Sequence, residues 1–293
     1  MIIVRVMGGL GNQMFQYALY RRIKSEGKPV KLDIFPLVYF MKGEHPYLME
    51  KAFGLRGEYA GYKEARRCGA LSKHRAVRLI ERKLRFPTES MRLRAGNDFE
   101  FGQDVEDAIQ SGKDCYLAGY WLNDKCFSPI AETIQREYIF KPALGPENAE
   151  LLEKLREPNA VAVHLRKYSA HGATYASWEK PLQYYENAMK YMADRIENAV
   201  FYIFSNDIEW CRQNVRGQQA VFVGNNSQPD SGQWIDMQLM SHCRNCIISN
   251  STYSWWAAYL DPEGEGKTVV APKFWLAHNG DATPNLDSWI EMD

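Results

Sequence analysis

Short apolar runs alternate with amphipathic stretches along this 293-residue chain. Apolar, mostly β-branched residues at 2–6 predict a strand, and a period of about 3.6 in residues 13–23 predicts a helix directly after it. Further strands are predicted from apolar runs at residues 30–34, 115–122, 160–165, 199–204, 221–223, 246–249 and 267–271. This alternation is typical of parallel sheets covered by helices. A polar crossover near residue 145 divides the pattern, so we expect two α/β domains, residues 1–145 and 146–293, that face each other across a cleft.

A glycine-rich turn at residues 8–12 connects the first predicted strand to the first predicted helix. Gly9 and Gly11 let the main chain turn tightly and let a ligand approach it, while the N–H groups at the start of the helix attract an anion. The side-chain amides of Asn12 and Gln13 suit sugar hydroxyls as well as phosphate oxygens. A ligand-free alternative stays open, because a tight strand-to-helix connection needs glycine whether or not anything binds there.

The glycine spacing bears on which ligand is expected. The dinucleotide fingerprint G-x-G-x-x-G begins at Gly9 and Gly11, but Met14 occupies the position of its third glycine. Asp33, at the end of the second predicted strand, could meet a ribose or an acceptor sugar, and it could equally be a structural aspartate. The missing glycine argues against a dinucleotide-dependent dehydrogenase.

Polar residues also follow the predicted strands of the second half. His164 and Arg166 lie at the end of the run 160–165, and a hydroxyl-rich turn at 250–254 precedes an apolar helix. Ligands of open α/β sheets bind beyond the carboxyl ends of the strands, and arginine donates a forked pair of hydrogen bonds to phosphate. These residues therefore predict an anion site. The alternatives are a histidine satisfied within the core and a turn that only caps its helix.

The charge balance excludes a global attraction to nucleic acid, because 36 basic residues match 36 acidic ones. Residues 63–94 are locally basic and predict an amphipathic helix or helix pair. Its basic side could be a solvated face, or it could bind a phosphate-bearing acceptor or an anionic membrane. With no leader or membrane-spanning run in the sequence, we expect a cytoplasmic protein, with peripheral contact at the inner face of the membrane as the alternative. Only Cys243 and Cys246 among six cysteines have metal-ligand spacing, and we expect a reduced pair at a helix-to-strand junction. Residues 279–293 are expected to return to the first half.

Several sequence blocks resemble one enzyme family. These are GGLGNQMFQYALYRR, VAVHLRK, FYIFSNDIEWC, DMQLMSHCRNCIISNSTYSWWAAYLD and VVAPKFW. In this order they resemble the bacterial α-1,2-fucosyltransferases of glycosyltransferase family 11, and they span nearly the whole chain. The resemblance implies a GT-B-like architecture of two Rossmann-type α/β/α domains and no metal or other cofactor. It also implies inverting transfer of fucose from GDP-fucose to the 2-hydroxyl of a galactose-type residue.

The same resemblance implies a role for each matching residue. Arg166 would bind the β-phosphate of the donor and act in catalysis with Asn12, while His164 would lie against the nucleoside. Asp236 would accept hydrogen bonds from guanine. Ser251 and Thr252 would bind phosphate oxygens. Gly9 and Gly11 would line the sugar side of the donor site together with Asn12.

One segment departs from the family pattern. The phosphate motif of the family typically reads H-x-R-R-G-D-Y, but Lys167 replaces its second arginine and the Gly-Asp step is absent. Lysine keeps the charge without the forked geometry. A degenerate nucleotide-sugar-binding protein with little or no turnover is therefore the alternative function. The general base also stays open among four candidates, Asp33, Glu44, His45 and His171.

Overall fold

The chain forms two compact units, Met1–Glu137 and Tyr138–Asp293. A computed structural model describes residues 1–40, 46–72, 91–94, 101–168, 178–216, 219–224, 226, 234–275 and 283–293, with only the backbone at 39, 40 and 91–94. The polar crossover in the sequence predicts the boundary near residue 145. In the structure the chain enters the second unit earlier, because the Tyr138 ring lies edge-on against Trp256 with centroids 5.1 Å apart.

The first unit contains a four-stranded parallel sheet with the order β2-β1-β4-β3. Its strands are β1 (Ile2–Arg5), β2 (Val30–Asp33), β3 (Met91–Arg94) and β4 (Cys115–Ala118). Its helices are α1 (Leu10–Ser25), α2 (Phe35–Phe40), α3 (Met49–Phe53), α4 (Tyr62–Arg67), α5 (Gln103–Gln110) and α6 (Ala131–Glu137). Short 3-10 turns at Asp124–Cys126 and Ser128–Ile130 precede α6. The predicted strand–turn–helix opening is confirmed.

The basic region of residues 63–94 is only partly helical. Its start belongs to α4, but Met91–Arg94 is strand β3 and pairs in parallel with β4, so the helical prediction is wrong there. The Met-Arg-Leu-Arg sequence alternates with the period of two that suits a strand. Residues 73–90 lie outside the described part of the chain.

The second unit contains a six-stranded parallel sheet with the order β10-β9-β8-β5-β6-β7. Its strands are β5 (Ala160–Leu165), β6 (Val200–Ser205), β7 (Gln219–Val223), β8 (Asn245–Ile247), β9 (Thr268–Pro272) and β10 (Ile290–Met292). Its helices are α7 (Pro146–Leu155), α8 (Leu182–Ala193), α9 (Ile208–Asn214), α10 (Ile235–Ser241) and α11 (Thr252–Tyr259).

The order of these strands reverses beside β5. The chain moves outward through β6 and β7, returns to β8 on the other side of β5, and continues outward through β9 and β10. Val161, Val163 and Leu165 belong to the apolar cluster around α8, whereas His164, on the opposite face of β5, contacts Tyr253 of α11. Helices thus cover both faces of the sheet. A reversal of this kind is where doubly wound sheets bind their ligands.

The end of the chain remains in the second unit. β10 pairs with β9, and the Trp289 ring before it lies 5.5 Å from that of Trp255, so the prediction that this segment returns to the first half is wrong. Its apolar side chains find their partners within the second sheet and on α11. The junction predicted for Cys243 and Cys246 is confirmed, because Cys243 follows α10 and Cys246 lies in β8. Both are buried free thiols, and burial raises the pKa of Cys243 to about 12.

Candidate active site

His164 joins the carboxyl ends of β5 and β8. It is the next-to-last residue of β5, and its Nδ1 lies 3.0 Å from the hydroxyl oxygen of Ser249, which follows β8. Its buried ring lies 5.6 Å from the Tyr253 ring, tilted by 37°. Burial, assisted by the nearby Arg166 cation, lowers the pKa of His164 to about 3. The imidazole is therefore neutral at physiological pH and offers hydrogen bonds rather than charge.

Arg166 follows the last residue of β5 at the same edge of the sheet. Its guanidinium carbon lies 5.8 Å from the centre of the Tyr168 ring. Burial lowers the pKa of Arg166, and the hydroxyls of Tyr168 and Tyr253 oppose that shift. Arginine nevertheless remains protonated in proteins. The carboxyl end of β5 thus carries a fixed cation with a planar fork of donors.

Lys167, the adjacent cation, is bound elsewhere. Its ammonium group forms a salt bridge with Glu179 and lies 3.8 Å from the centre of the Trp210 ring. Its main chain exchanges two hydrogen bonds of 2.9 Å with the side-chain amide of Asn206. The side chains of Lys167 and Glu179 are only 13% and 16% exposed. The lysine keeps its charge, as the sequence indicated, but that charge is paired within the protein.

The hydroxyl-rich turn ends as the N-cap of α11. The Ser251 hydroxyl accepts a hydrogen bond from the Tyr253 N–H, so the capping interpretation of this turn is confirmed. Thr252 is the first residue of the helix. The Asn250 amide donates to the carbonyls of Trp178 and Trp275 at 2.8 and 2.7 Å and so holds the turn in place. Capping does not remove the partial positive charge at the helix start, so the turn still suits an anion.

Tyr168 connects Arg166 to this turn. Its hydroxyl donates to the Asn250 carbonyl at 2.7 Å, and its ring contacts both Arg166 and, edge-on at 5.8 Å, Trp178. The predicted phosphate-binding residues Arg166, Ser251 and Thr252 are therefore brought to one end of the sheet. Tyr168 is not among the residues predicted for the site. A signal for it was the final tyrosine of the family motif, which here comes two residues after Arg166.

Asp236 lies in the first turn of α10. One of its carboxylate oxygens accepts a hydrogen bond of 2.7 Å from Asn226, whose own side-chain oxygen accepts one of 2.8 Å from Asn148. Burial raises the pKa of Asp236 to about 6, although the Asn226 hydrogen bond acts in the opposite direction. The Tyr253 hydroxyl accepts from the N–H of the next residue, Met237, at 2.8 Å. Asp236 is therefore connected through Tyr253 to the start of α11, and no sequence motif indicated its partner Asn226 or the further link from Asn226 to Asn148.

The glycine turn of the first unit is built around Gly8. This glycine has φ +80°, and a Cβ on it would come within 2.5 Å of the Asn12 side-chain nitrogen. Gly9 is the N-cap of α1, and both Gly11 and the partly exposed Asn12 lie in its first turn. The turn therefore requires glycine for conformational reasons. Whether Gly9, Gly11 and Asn12 meet a sugar stays a prediction.

Gln13 has a structural role that differs from the sequence-based expectation. Its side-chain nitrogen donates to the carbonyls of Gly8 and Pro46, both at 2.9 Å, and its side-chain oxygen accepts from the Leu48 N–H at 2.9 Å. The side chain is fully buried. Its amide groups therefore hold the turn and the segment before α3 rather than a ligand.

The structural interpretation of Asp33 is favoured over the sugar-binding ones. Its carboxylate accepts from the Tyr116 hydroxyl at 2.7 Å and from the Phe35 N–H at 3.0 Å. The residue is buried, which raises its pKa. The other three candidates for the general base, Glu44, His45 and His171, lie outside the described residues. The base accordingly stays unassigned.

These features define a class of protein. A cation, a neutral histidine, a helix N-terminus and a carboxylate at the switch point of a doubly wound sheet are typical of nucleotide-binding enzymes. The chain matches the sequence model of Glycosyl transferase family 11 over residues 1–292, and it belongs to that family. The resemblance to this family drawn from the sequence is confirmed, and the protein is a glycosyltransferase. Family membership leaves a dinucleotide-dependent dehydrogenase without support.

The chain is similar in sequence to several characterised glycosyltransferases. An α-1,2-colitosyltransferase of Escherichia coli is 27% identical over 311 residues, covering 100% of this chain and 99% of that protein. The O-antigen biosynthesis glycosyltransferase WbnK of Escherichia coli is 34% identical over 197 residues, 66% of this chain and 60% of WbnK. Galactoside alpha-(1,2)-fucosyltransferase 1 of Ateles belzebuth is 28% identical over 170 residues, 55% of this chain and 46% of that protein. Against the last two, the chain matches less than two thirds of the relative.

Two solved structures align with most of the chain at low sequence identity. NodZ, an α-1,6-fucosyltransferase from Bradyrhizobium soaked with GDP-fucose, aligns with a TM-score of 0.47 at 14% identity, covering 89% of this chain and 92% of NodZ. POFUT1 in complex with GDP aligns with a TM-score of 0.43 at 12% identity, covering 92% and 97%. The predicted α/β class is confirmed by the two parallel sheets.

Proposed function

We propose that this protein is an inverting, metal-independent α-1,2-fucosyltransferase that transfers fucose from GDP-fucose to the 2-hydroxyl of a galactose-type residue in a surface glycan. Family membership supports glycosyl transfer, and the names of two relatives specify an α-1,2 linkage. The observation that carries the proposal is the convergence of His164, Arg166, Asp236 and the start of α11 at the switch point of one sheet.

Asp236 suits guanine among the bases. Guanine presents two adjacent donors, N1–H and its 2-amino group, whereas adenine presents an acceptor beside a donor. An ionised carboxylate accepts from both guanine donors. With a pKa raised to about 6, Asp236 is ionised at neutral pH while most of its surroundings exclude water, which strengthens such hydrogen bonds. The neutral ring of His164 would lie against the nucleoside on the same face of the sheet.

Arg166 and α11 would stabilise the departing GDP. As the bond between fucose C1 and the β-phosphate oxygen breaks, negative charge develops on the diphosphate and positive charge on the sugar ring. Pre-oriented donors aimed at that developing charge lower the barrier. The fork of Arg166, the N–H groups at the start of α11 and the hydroxyls of Ser251 and Thr252 supply them. These groups would do the work that a divalent cation does in metal-dependent enzymes. Attack by the acceptor hydroxyl on the opposite face of C1 gives inversion.

A second donor is favoured by one specific observation. The relative that matches the chain from end to end is an α-1,2-colitosyltransferase. Colitose is fucose without its 3-hydroxyl, so the two GDP-sugars differ only in that hydroxyl and share every group that the second unit would contact. GDP-colitose is therefore the alternative donor. The binding-only alternative is motivated by Lys167, whose charge is paired with Glu179.

A donor and acceptor assay separates these possibilities. The protein is incubated in EDTA with GDP-fucose or GDP-colitose and a panel of β-galactosides, and GDP release and the product linkage are measured. We expect GDP release with fucose and a product linked to the 2-hydroxyl. Faster turnover with GDP-colitose than with GDP-fucose would identify GDP-colitose as the donor. GDP binding by calorimetry without turnover would favour the binding-only alternative, and loss of activity in EDTA restored by Mg²⁺ would refute metal independence.

The cellular location also stays a proposal. No helix in the described ranges is long and apolar enough to cross a membrane. We propose a cytoplasmic protein whose basic region, residues 63–94, touches an anionic membrane peripherally. Of its described cations, Arg67 pairs with Asp114 at 3.3 Å and Arg66 donates to the Ala70 carbonyl at 2.6 Å. Sedimentation with anionic and neutral vesicles tests this, and equal binding to both would refute it.

A further inference from the structure

We propose that Tyr253 is a positioning residue that fixes the guanine-binding carboxylate of Asp236 relative to the phosphate-binding end of α11. The inference rests on the proposed binding of a GDP-sugar. No motif indicates this role, and in the sequence Tyr253 is only one residue of the hydroxyl-rich turn at 250–254. Its contacts in the structure are what single it out.

The hydroxyl of Tyr253 caps a second helix. The first N–H groups of an α-helix have no partner within that helix. In α10, the N-cap residue Trp234 supplies no side-chain hydrogen bond, and the Tyr253 hydroxyl accepts from the Met237 N–H at 2.8 Å. Asp236 directly precedes Met237. The main chain that carries the carboxylate is therefore held by a side chain from α11.

The ring of Tyr253 contacts the other side of the site. It lies 5.6 Å from the ring of His164, and its hydroxyl interacts electrostatically with Arg166 and Asp236. Tyr253 itself comes two residues after Ser251 and donates its N–H to the Ser251 hydroxyl. One residue thus touches or adjoins each predicted donor-binding group of the second unit.

This placement predicts an effect on base selectivity. Hypoxanthine lacks the 2-amino group of guanine, so a carboxylate held in register gains one hydrogen bond with GDP that it cannot make with IDP. Without the Tyr253 hydroxyl, the start of α10 loses a partly buried hydrogen bond and Asp236 is no longer held in that register. The preference for GDP over IDP should then fall by more than a general loss of protein stability would cause.

The test compares Tyr253→Phe with wild type by calorimetry, with GDP and IDP as probes. We expect the Kd for GDP to rise about tenfold and the preference for GDP over IDP to fall toward one. Tyr184→Phe is the matched control, because it removes another buried hydroxyl whose 2.7 Å hydrogen bond goes to the Ile248 carbonyl. This control should lower the melting temperature but keep the wild-type preference for GDP.

The outcomes distinguish the inference from the function on which it rests. A wild-type protein that does not bind GDP refutes the proposed function. Wild-type binding together with an unchanged preference in Tyr253→Phe refutes only the role of Tyr253. Should Tyr253→Phe fold poorly by circular dichroism, the same comparison is made with Asp236→Asn and the double variant at lower temperature. A further loss of selectivity when Tyr253→Phe is added to Asp236→Asn would show that Tyr253 does not act through Asp236.

Discussion

Arg166 and Lys167 are neighbouring cations with different contacts, and we expect them to have different roles. Arg166 is held against Tyr168 at the carboxyl end of β5, whereas Lys167 is paired with Glu179. Arg166→Ala removes one pre-oriented donor from the departing diphosphate. Mutations of this kind cost about 2.7 to 4 kcal/mol of transition-state stabilisation, so kcat should fall roughly 100- to 1,000-fold. Arg166→Lys keeps the charge without the forked pair of donors, so its kcat should lie between those of wild type and Arg166→Ala.

Lys167→Met is the matched control. It leaves Glu179 without its ammonium partner in a mostly buried position, and it removes the contact with Trp210. We expect a loss of up to about 3 kcal/mol in the free energy of unfolding, recovered in part by adding Glu179→Gln. The kcat of the folded variant should stay within about threefold of wild type, because this charge does not contribute to the phosphate site.

The assay measures GDP release at saturating donor and acceptor, together with urea unfolding of each variant. If Arg166→Ala keeps more than about a tenth of the wild-type kcat, the diphosphate is stabilised by other groups and the mechanism is wrong. If Lys167→Met loses 100-fold in kcat with its unfolding free energy unchanged, the lysine binds phosphate and its pairing with Glu179 opens in the complex. Either result would overturn the distinction between the two cations.

Three further predictions follow from the geometry. Burial raises the pKa of Asp236 to about 6, and only the ionised carboxylate accepts from both guanine donors. The affinity for GDP should therefore fall about tenfold per pH unit below that pKa. Titration calorimetry should show no such dependence in Asp236→Asn. Gly8→Ala should lower the melting temperature more than Gly27→Ala, since both have positive φ but only the Cβ at Gly8 meets another atom, and equal losses would mean that the clash relaxes. Gln13→Ala should cost about 3 kcal/mol of unfolding free energy, because it removes three hydrogen bonds to main-chain groups. Asn12→Ala should lower kcat, and a wild-type kcat in that variant would contradict the role proposed for Asn12.

Much of the fold could be predicted from local patterns. The strand at Ala160–Leu165 has the predicted bounds, and the other strands predicted from apolar runs differ by a few residues at their ends. Helix ends were less predictable because caps extend them. α11, for example, begins at Thr252 rather than at Trp255, since Ser251 caps it. The strand at Met91–Arg94 was missed because its basic residues masked a period of two.

The sequence by itself determined the α/β class, the family and the residue types of the candidate site. These depend on hydrophobic period and on ordered motifs, and both are local properties of the chain. Only the tertiary structure decided which polar side chains are available to a ligand. Lys167 proved to be paired with Glu179, and Gln13 to be bound to main-chain groups of residues 8, 46 and 48. The connection of Tyr253 to Met237 is likewise a contact between two helices. A buried polar group must find a partner, and in these cases the partner comes from a segment that local sequence patterns do not identify.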